Sequence, residues 1–184
     1  MVTLHVLGIS GSLRQHSYNT QLLLEAARLM PDGMAFERFD LSEIPLYNDD
    51  VRMNGYPAPV IDFRDKIQAS DALLIATPEY NGSISGVLKH ALDGASRPPS
   101  PPVDGKPAAI LGATTGHYGT SKAQLHLRAV CGSLNMHLVN RPKVLISRAQ
   151  DAFNANGRLI DDAARHYLSD LMQALAGWVR RLQT

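Results

Sequence analysis

The sequence predicts an α/β protein built on a five-stranded parallel sheet with helices on both of its faces. Two observations predict this class. Short apolar runs rich in branched side chains recur five times along the chain, and segments at helical spacing alternate with them. The first of these runs is continuous rather than alternating, as expected of a strand that is buried on both faces.

Each element follows from a local pattern. The first helix has helix-forming residues at helical spacing and ends before Pro31 and Gly33, and the fifth strand is weakened by Pro142. Strands are predicted at residues 2–9, 35–40, 72–77, 107–113 and 139–147. Helices are predicted at residues 20–30, 60–69, 84–95 and 119–132. A long amphipathic helix closes the chain, with one apolar stripe formed by Ile160, Ala164, Tyr167, Leu168, Leu171, Met172, Leu175, Trp178, Val179 and Leu182.

Composition narrows the classes of function. A chain of 184 residues with 45% hydrophobic side chains suits one core, so we expect a single domain over residues 1–184. A net charge of +1, without a run of like charges, argues against nucleic acid and anionic membranes as partners and favours small molecules. No segment approaches the roughly 20 apolar residues of a membrane span. The single Cys131 and the short apolar start without a basic leader predict a cytoplasmic protein.

Three polar loops mark the candidate site, because ligands of open parallel sheets bind beyond the carboxyl ends of the strands. They are residues 10–19, 78–83 and 114–119. The first loop and the start of the following helix offer hydroxyls, an amide, a guanidinium and free N–H groups, which suit a phosphate. The alternative is an ordinary helix cap, but a cap would account for only one of these residues. These side chains belong to Ser10, Ser12, Arg14, Ser17, Asn19 and Thr20.

The other two loops suit a flat heterocycle. Tyr80 offers an aromatic face, and Asn81-Gly82 can adopt positive φ and expose N–H groups. The glycine-spaced third loop can close the other side of the ring. The chain lacks the dinucleotide-binding fingerprint, the P-loop and the nucleophile elbow, and its histidines do not lie at metal-ligand spacing.

Several spaced motifs resemble the NAD(P)H-dependent FMN reductase family, which includes chromate and quinone reductases and azoreductases. The motifs are Gly8-Ile-Ser-Gly-Ser-Leu-Arg14 with Ser17 and Asn19, Pro78-Glu-Tyr-Asn81, Gly86-Val-Leu-Lys-His-Ala-Leu-Asp93, Gly119-Thr-Ser-Lys-Ala-Gln-Leu-His-Leu-Arg128 and Leu134-Asn-Met-His-Leu-Val-Asn-Arg-Pro142. The resemblance implies a flavodoxin-like three-layer sandwich with strand order 2-1-3-4-5. It also implies that the first loop holds the FMN phosphate. The isoalloxazine would be lined by Pro78, Glu79, Tyr80, Asn81, Gly82, Thr114, Thr115 and Gly116.

The activity implied by this resemblance is hydride transfer from NADPH or NADH, through FMN, to a quinone, azo compound, chromate or free flavin, with ping-pong kinetics. No side chain need act as acid or base. His117, which stands where relatives often have glycine, is either a surface turn residue or a candidate proton donor to the acceptor. Gly94 departs from the family pattern as well.

Two other functions stay open: a flavodoxin-type electron carrier, which the near-neutral charge disfavours, and a flavin-free binding module. Apolar and small residues on several faces of helix 84–95 predict a homodimer or homotetramer.

Overall fold

The structure, a computed structural model, describes residues 3–183 and contains one parallel sheet. Within that range the sheet has order β2-β1-β3-β4-β5, and β6 pairs with β4 beyond the end of β5. The strands are β1 (Leu4–Ser10), β2 (Met34–Phe39), β3 (Ala72–Ala76), β4 (Pro107–Ala113), β5 (His137–Leu138) and β6 (Val144–Ile146). The predicted flavodoxin-like class and strand order are confirmed. Residue 2, the predicted start of the first strand, lies outside the described residues.

Helices cover both faces of the sheet. They are α1 (Tyr18–Arg28), α2 (Asp49–Met53), α3 (Ala58–Ala69), α4 (Gly86–Ala95), α5 (Ser121–Ser133), α6 (Ala149–Ala152) and α7 (Asp162–Leu182). Side chains of α1 and α7 form one hydrophobic core with one face of the sheet, while α3, α4 and α5 form a second core with the other face. In the described part of the chain, no helix combines the length and the apolar character that crossing a bilayer requires.

The central strands are apolar on both sides because both faces are covered. All five residues of β3 are buried. In β1, Leu4 and Val6 belong to the core under α1 and α7, whereas Leu7 and Ile9 belong to the opposite core. This arrangement explains why these strands are continuous apolar runs in the sequence rather than alternating patterns.

The fifth strand was predicted as one element over residues 139–147, and this was wrong. The chain pairs at β5, leaves the sheet over residues 139–143, and pairs with β4 again at β6. Val139 N–H still donates to the Ala108 carbonyl at 2.8 Å, but Pro142 has no N–H to donate. A single strand therefore cannot continue through this segment.

Helix boundaries also needed correction. The first helix begins at Tyr18 rather than at residue 20, because Ser17 caps it and its Oγ accepts the N–H groups of Asn19 and Thr20 at 3.2 and 3.3 Å. The short α2 and α6 were not predicted, since five and four residues carry too little periodicity. Some positions assigned to the apolar stripe of the last helix are exposed, namely Ile160, Tyr167 and Leu182.

A buried carboxylate joins α1 to the segment before α7. Glu25 of α1 is fully buried, and its carboxylate is paired with the guanidinium groups of Arg28, Arg158 and Arg165. Arg165 also donates to the Leu159 carbonyl at 3.1 Å. The cluster therefore fastens α1, behind the first polar loop, to residues 158–165 at the start of α7, more than 130 residues later.

Replacing Glu25 with Gln should lower the free energy of unfolding by about 2–3 kcal/mol, because three arginines would lose their common counter-charge. The figure is at the low end for buried pairs since the arginines are a third to a half exposed. Urea unfolding of the wild type and the variant measures the difference. Glu43→Gln, at an exposed position, is the control and should change it by less than about 0.5 kcal/mol. Equal stability of all three proteins would contradict a role for the cluster.

Candidate functional site

The register of the sheet brings the three polar loops to one edge. Gly11 N–H donates to the Ala76 carbonyl at 2.9 Å, and Thr77 N–H donates to the Leu111 carbonyl at 3.0 Å, so β1 and β3 end at the same level and β4 continues to Ala113 at the same edge. The loops surround an open cleft of about 180 Å³. It is lined by Ser12, Arg14, Ser17, Tyr18, Asn19, Pro78, Glu79, Tyr80, Ala113, Thr114 and Thr115.

Nine of the fourteen predicted site residues thus line one cleft. The five that do not line it are in the same loops or directly behind them: Ser10, Thr20, Asn81, Gly82 and Gly116. His117 is exposed and is not among the lining residues.

The first loop keeps several donors unpaired. Within residues 3–183, the N–H groups of residues 13–16 have no protein acceptor, and neither has the exposed guanidinium of Arg14. The hydroxyl of Thr20 donates to Ser10 Oγ at 3.2 Å, which holds the start of α1 against the end of β1. Free N–H groups, hydroxyls and an arginine before a helix N-terminus are the groups that bind a phosphate.

Asn19 fastens the first loop to the third. Its side chain is buried, and its amide donates to the Ala113 carbonyl at 3.0 Å while its Oδ1 accepts the Ala113 N–H at 2.9 Å. Both polar groups at the end of β4 are thereby satisfied. The amide of Asn19 consequently positions the loops, a role that composition could not indicate because the partners are 94 residues apart.

The second loop contains a tight turn with exposed donors. Tyr80 and Ser83 exchange two backbone hydrogen bonds of 3.0 Å, and Asn81 and Gly82 between them have φ values of 52° and 75°. Positive φ at both central positions defines a type I′ turn, for which Asn-Gly is the preferred sequence. In the described part of the chain the N–H groups of Asn81 and Gly82 have no protein acceptor.

Two further polar residues hold the second loop in place. Glu79 accepts the Ala123 N–H at 3.0 Å and so caps the first turn of α5, whose own N-cap residue makes no side-chain cap bond. Ser85, which was not predicted, caps α4 and donates to the Gly11 carbonyl at 2.6 Å. A Cβ on Gly11 would stand 2.9 Å from Ser85 Oγ, so the close approach of these loops requires a glycine.

The third loop is anchored by a segment that the sequence did not single out. The carbonyls of Thr114 and Gly116 accept the N–H groups of Ala149 and Arg148 at 3.0 and 3.1 Å. Thr114 Oγ1 accepts the Gly116 N–H at 3.3 Å. The loop is therefore fixed on the side facing α6.

Neither a metal-type cluster nor a reactive thiol is present at the cleft in the described residues. Residues 3–183 contain no group of three or more His, Cys, Asp or Glu side chains that could hold a metal. Cys131 is fully buried, and burial raises the pKa of its thiol to about 12, so it is not a nucleophile at neutral pH. The unpaired donors fit FMN: one set suits its phosphate, and the set beside Tyr80 suits the carbonyl edge of its ring.

Comparison with known proteins agrees with this geometry. The family model for NADPH-dependent FMN reductase matches residues 4–151. An NAD(P)H-dependent FMN reductase of Pseudomonas aeruginosa is 58% identical over 178 residues, which are 97% of this chain and 96% of that protein. A 2-hydroxy-1,4-benzoquinone reductase of a Burkholderia species is 42% identical, covering 97% of this chain and 98% of the relative.

A solved structure is also similar. The flavoenzyme NAD(P)H:(acceptor) oxidoreductase FerB of Paracoccus denitrificans superimposes with a TM-score of 0.89 at 31% identity, over 97% of this chain and 98% of FerB. The family match covers most of the chain, and these relatives match along nearly their whole length. The chain belongs to the NADPH-dependent FMN reductase family.

Proposed function

We propose that this protein binds FMN in the cleft and catalyses the reduction of quinones and similar planar acceptors by NADPH or NADH. The observation that supports this most directly is that the three loops line one cleft and that two of them carry unpaired donors, one set suited to a phosphate and one to a heterocycle. Held by the three loops, FMN would supply two-electron chemistry for hydride transfer from the nicotinamide to the acceptor. In sum, NAD(P)H, a proton and a quinone become NAD(P)⁺ and a hydroquinone.

The phosphate end of the site is assigned to the first loop. Ser12, Arg14 and Ser17 face the cleft, and the free N–H groups of residues 13–16 and the N-terminus of α1 add donors and partial positive charge. Ser10 and Thr20 support this loop through their mutual hydrogen bond. Asn19 acts as a positioning residue through Ala113.

The ring end is assigned to the second and third loops. Pro78, Tyr80 and the backbone of Glu79 would lie along the ring, because the Glu79 carboxylate is occupied by α5. The N–H groups of Asn81 and Gly82 would donate to the ring carbonyls and stabilise negative charge there, as donors of an oxyanion hole do. The other border of the ring would be formed by Thr114, Thr115 and Gly116.

Exposed apolar side chains in the three loops favour a planar apolar acceptor. Each loop presents one large apolar side chain to solvent: Leu13 is 52% exposed, Tyr80 48% and Tyr118 84%. Such side chains favour contact with an aromatic ring, so they favour quinones, azo compounds or free flavin over chromate. The names of the quinone-reducing relatives support the same choice.

The electron-carrier alternative is less well supported. Carriers of that type dock to basic partners through a strongly acidic surface, whereas this chain has a net charge of +1. The homodimer or homotetramer, the cytoplasmic location and the single domain over residues 1–184 stay predictions from the sequence.

Arg14→Ala should weaken FMN binding about 10-fold to 100-fold, because a charged hydrogen bond to the phosphate is worth about 1.5–3 kcal/mol. Titration of the apoprotein with FMN, followed by flavin fluorescence, gives the dissociation constant. Arg38→Ala, on the edge strand β2, is the matched control and should bind as the wild type does. An Arg14 variant with unchanged affinity would refute the assignment of the phosphate to the first loop.

Steady-state kinetics test the reaction itself. Because one open cleft would receive the nicotinamide and the acceptor in turn, double-reciprocal plots for NADPH at several quinone concentrations should be parallel. Intersecting lines would instead mean that both molecules bind together, and absence of FMN-dependent quinone reduction would reject the proposed activity.

A further inference from the structure

One lysine outside the three loops lies against the turn of the second loop. Lys122 is the second residue of α5, and a Cβ atom built on Gly82 would stand 3.3 Å from its side-chain Cδ. The ammonium group is only two bonds beyond Cδ. The side chain of Lys122 therefore packs against the Asn81-Gly82 turn, which follows the part of the loop that lines the cleft.

The charge of Lys122 has no partner in the described part of the chain. No carboxylate there lies within ion-pair distance of its ammonium group, and no hydrogen bond joins that group to protein. By contrast, Lys66 and Lys89 are paired with Glu37 and Asp93. Glu79, in the adjacent loop, uses its carboxylate to accept the Ala123 N–H.

The position of this lysine is also unfavourable for the helix. A cation in the first turn opposes the partial positive charge of the helix N-terminus. An anion bound beside the turn would relieve the conflict.

Two side-chain contacts join the second loop to α5, the helix that carries Lys122. The Glu79 carboxylate is bonded to Ala123, and the His126 ring Nδ1 lies 3.0 Å from Ser83 Oγ. These two contacts, at residues that follow Lys122, connect the first two turns of α5 to the second loop.

We propose that Lys122 makes the cleft selective for acceptors that are anionic as well as planar, such as ionised hydroxyquinones. This inference rests on the proposed function. The ring of the acceptor would lie against the exposed apolar side chains of the loops, and its ionised oxygen would pair with the ammonium group of Lys122. No bond to Lys122 forms or breaks: the quinone gains two electrons and two protons, one of them within the hydride from NAD(P)H and one from solvent.

Equilibrium binding to the oxidised, FMN-loaded protein without NAD(P)H tests the inference independently of turnover. The probes are 2-hydroxy-1,4-naphthoquinone, which is ionised at neutral pH, and uncharged 2-methyl-1,4-naphthoquinone, both followed by changes in flavin absorbance. Lys122→Met should shift the ratio of their dissociation constants by about threefold to fivefold against the anion, the scale of one exposed charge pair. Higher salt should weaken the wild-type preference for the anionic quinone, because salt screens the charge of Lys122.

Two matched variants complete the design. Lys122→Arg retains the charge and should keep the wild-type ratio within about twofold, given the modest energy of exposed pairs. Lys143→Met removes an exposed lysine outside the cleft and should leave the ratio unchanged. The ratio of the KM values of the two quinones should change among the variants in the same direction as the ratio of their dissociation constants.

The inference and the proposed function fail in different ways. A wild-type protein that binds FMN and reduces both quinones, with a ratio unaffected by Lys122→Met, overturns the inference alone. Equal weakening of both quinones also overturns it, because Lys122 would then act on the turn rather than on the anion. A wild-type protein that binds no FMN overturns the proposed function and the inference together.

Discussion

The parallel register of β1, β3 and β4 is the constraint on which the site depends. Ser10 stands opposite Ala76, and Ala76 stands opposite Leu111, so the three strands end at one edge of the sheet. Donors contributed by three separate loops can therefore serve one ligand. The two hydrogen bonds between Asn19 and Ala113 then fix the first loop relative to the end of β4, without leaving a buried polar group unpaired there.

The polar groups of the loops divide into two sets. Ser17, Ser85 and Glu79 cap helices, and their hydrogen bonds fix the shape of the cleft. Arg14, Lys122 and the N–H groups of the Asn81-Gly82 turn have no protein partner among residues 3–183. The second set contributes little to folding and is available to anionic or carbonyl groups of a ligand, so the separation between the sets outlines where FMN and its acceptor would lie.

The strand order, the covering helices and the three loops that surround the cleft could be predicted from the sequence, because each depends on a local pattern or on motifs that resemble the family. Contacts between segments that are distant in the sequence could not be predicted in this way. Asn19 was assigned to the cofactor, although its amide pairs with a strand 94 residues away. Lys122 was overlooked, since its contact with Gly82 exists only in the folded chain. The interruption of the fifth strand was also not predicted, because the sequence does not show where the chain leaves β4 around Pro142 and where it pairs again.

The most direct test of this account is the visible spectrum of the FMN-loaded protein under anaerobic conditions, recorded before and after addition of NADPH and, separately, of NADH. We predict bound flavin whose absorption bleaches with at least one nicotinamide nucleotide and returns when a quinone is added. Flavin that binds but stays oxidised would contradict the reductase function and favour the electron carrier. Failure to bind FMN would contradict the assignment of all three loops.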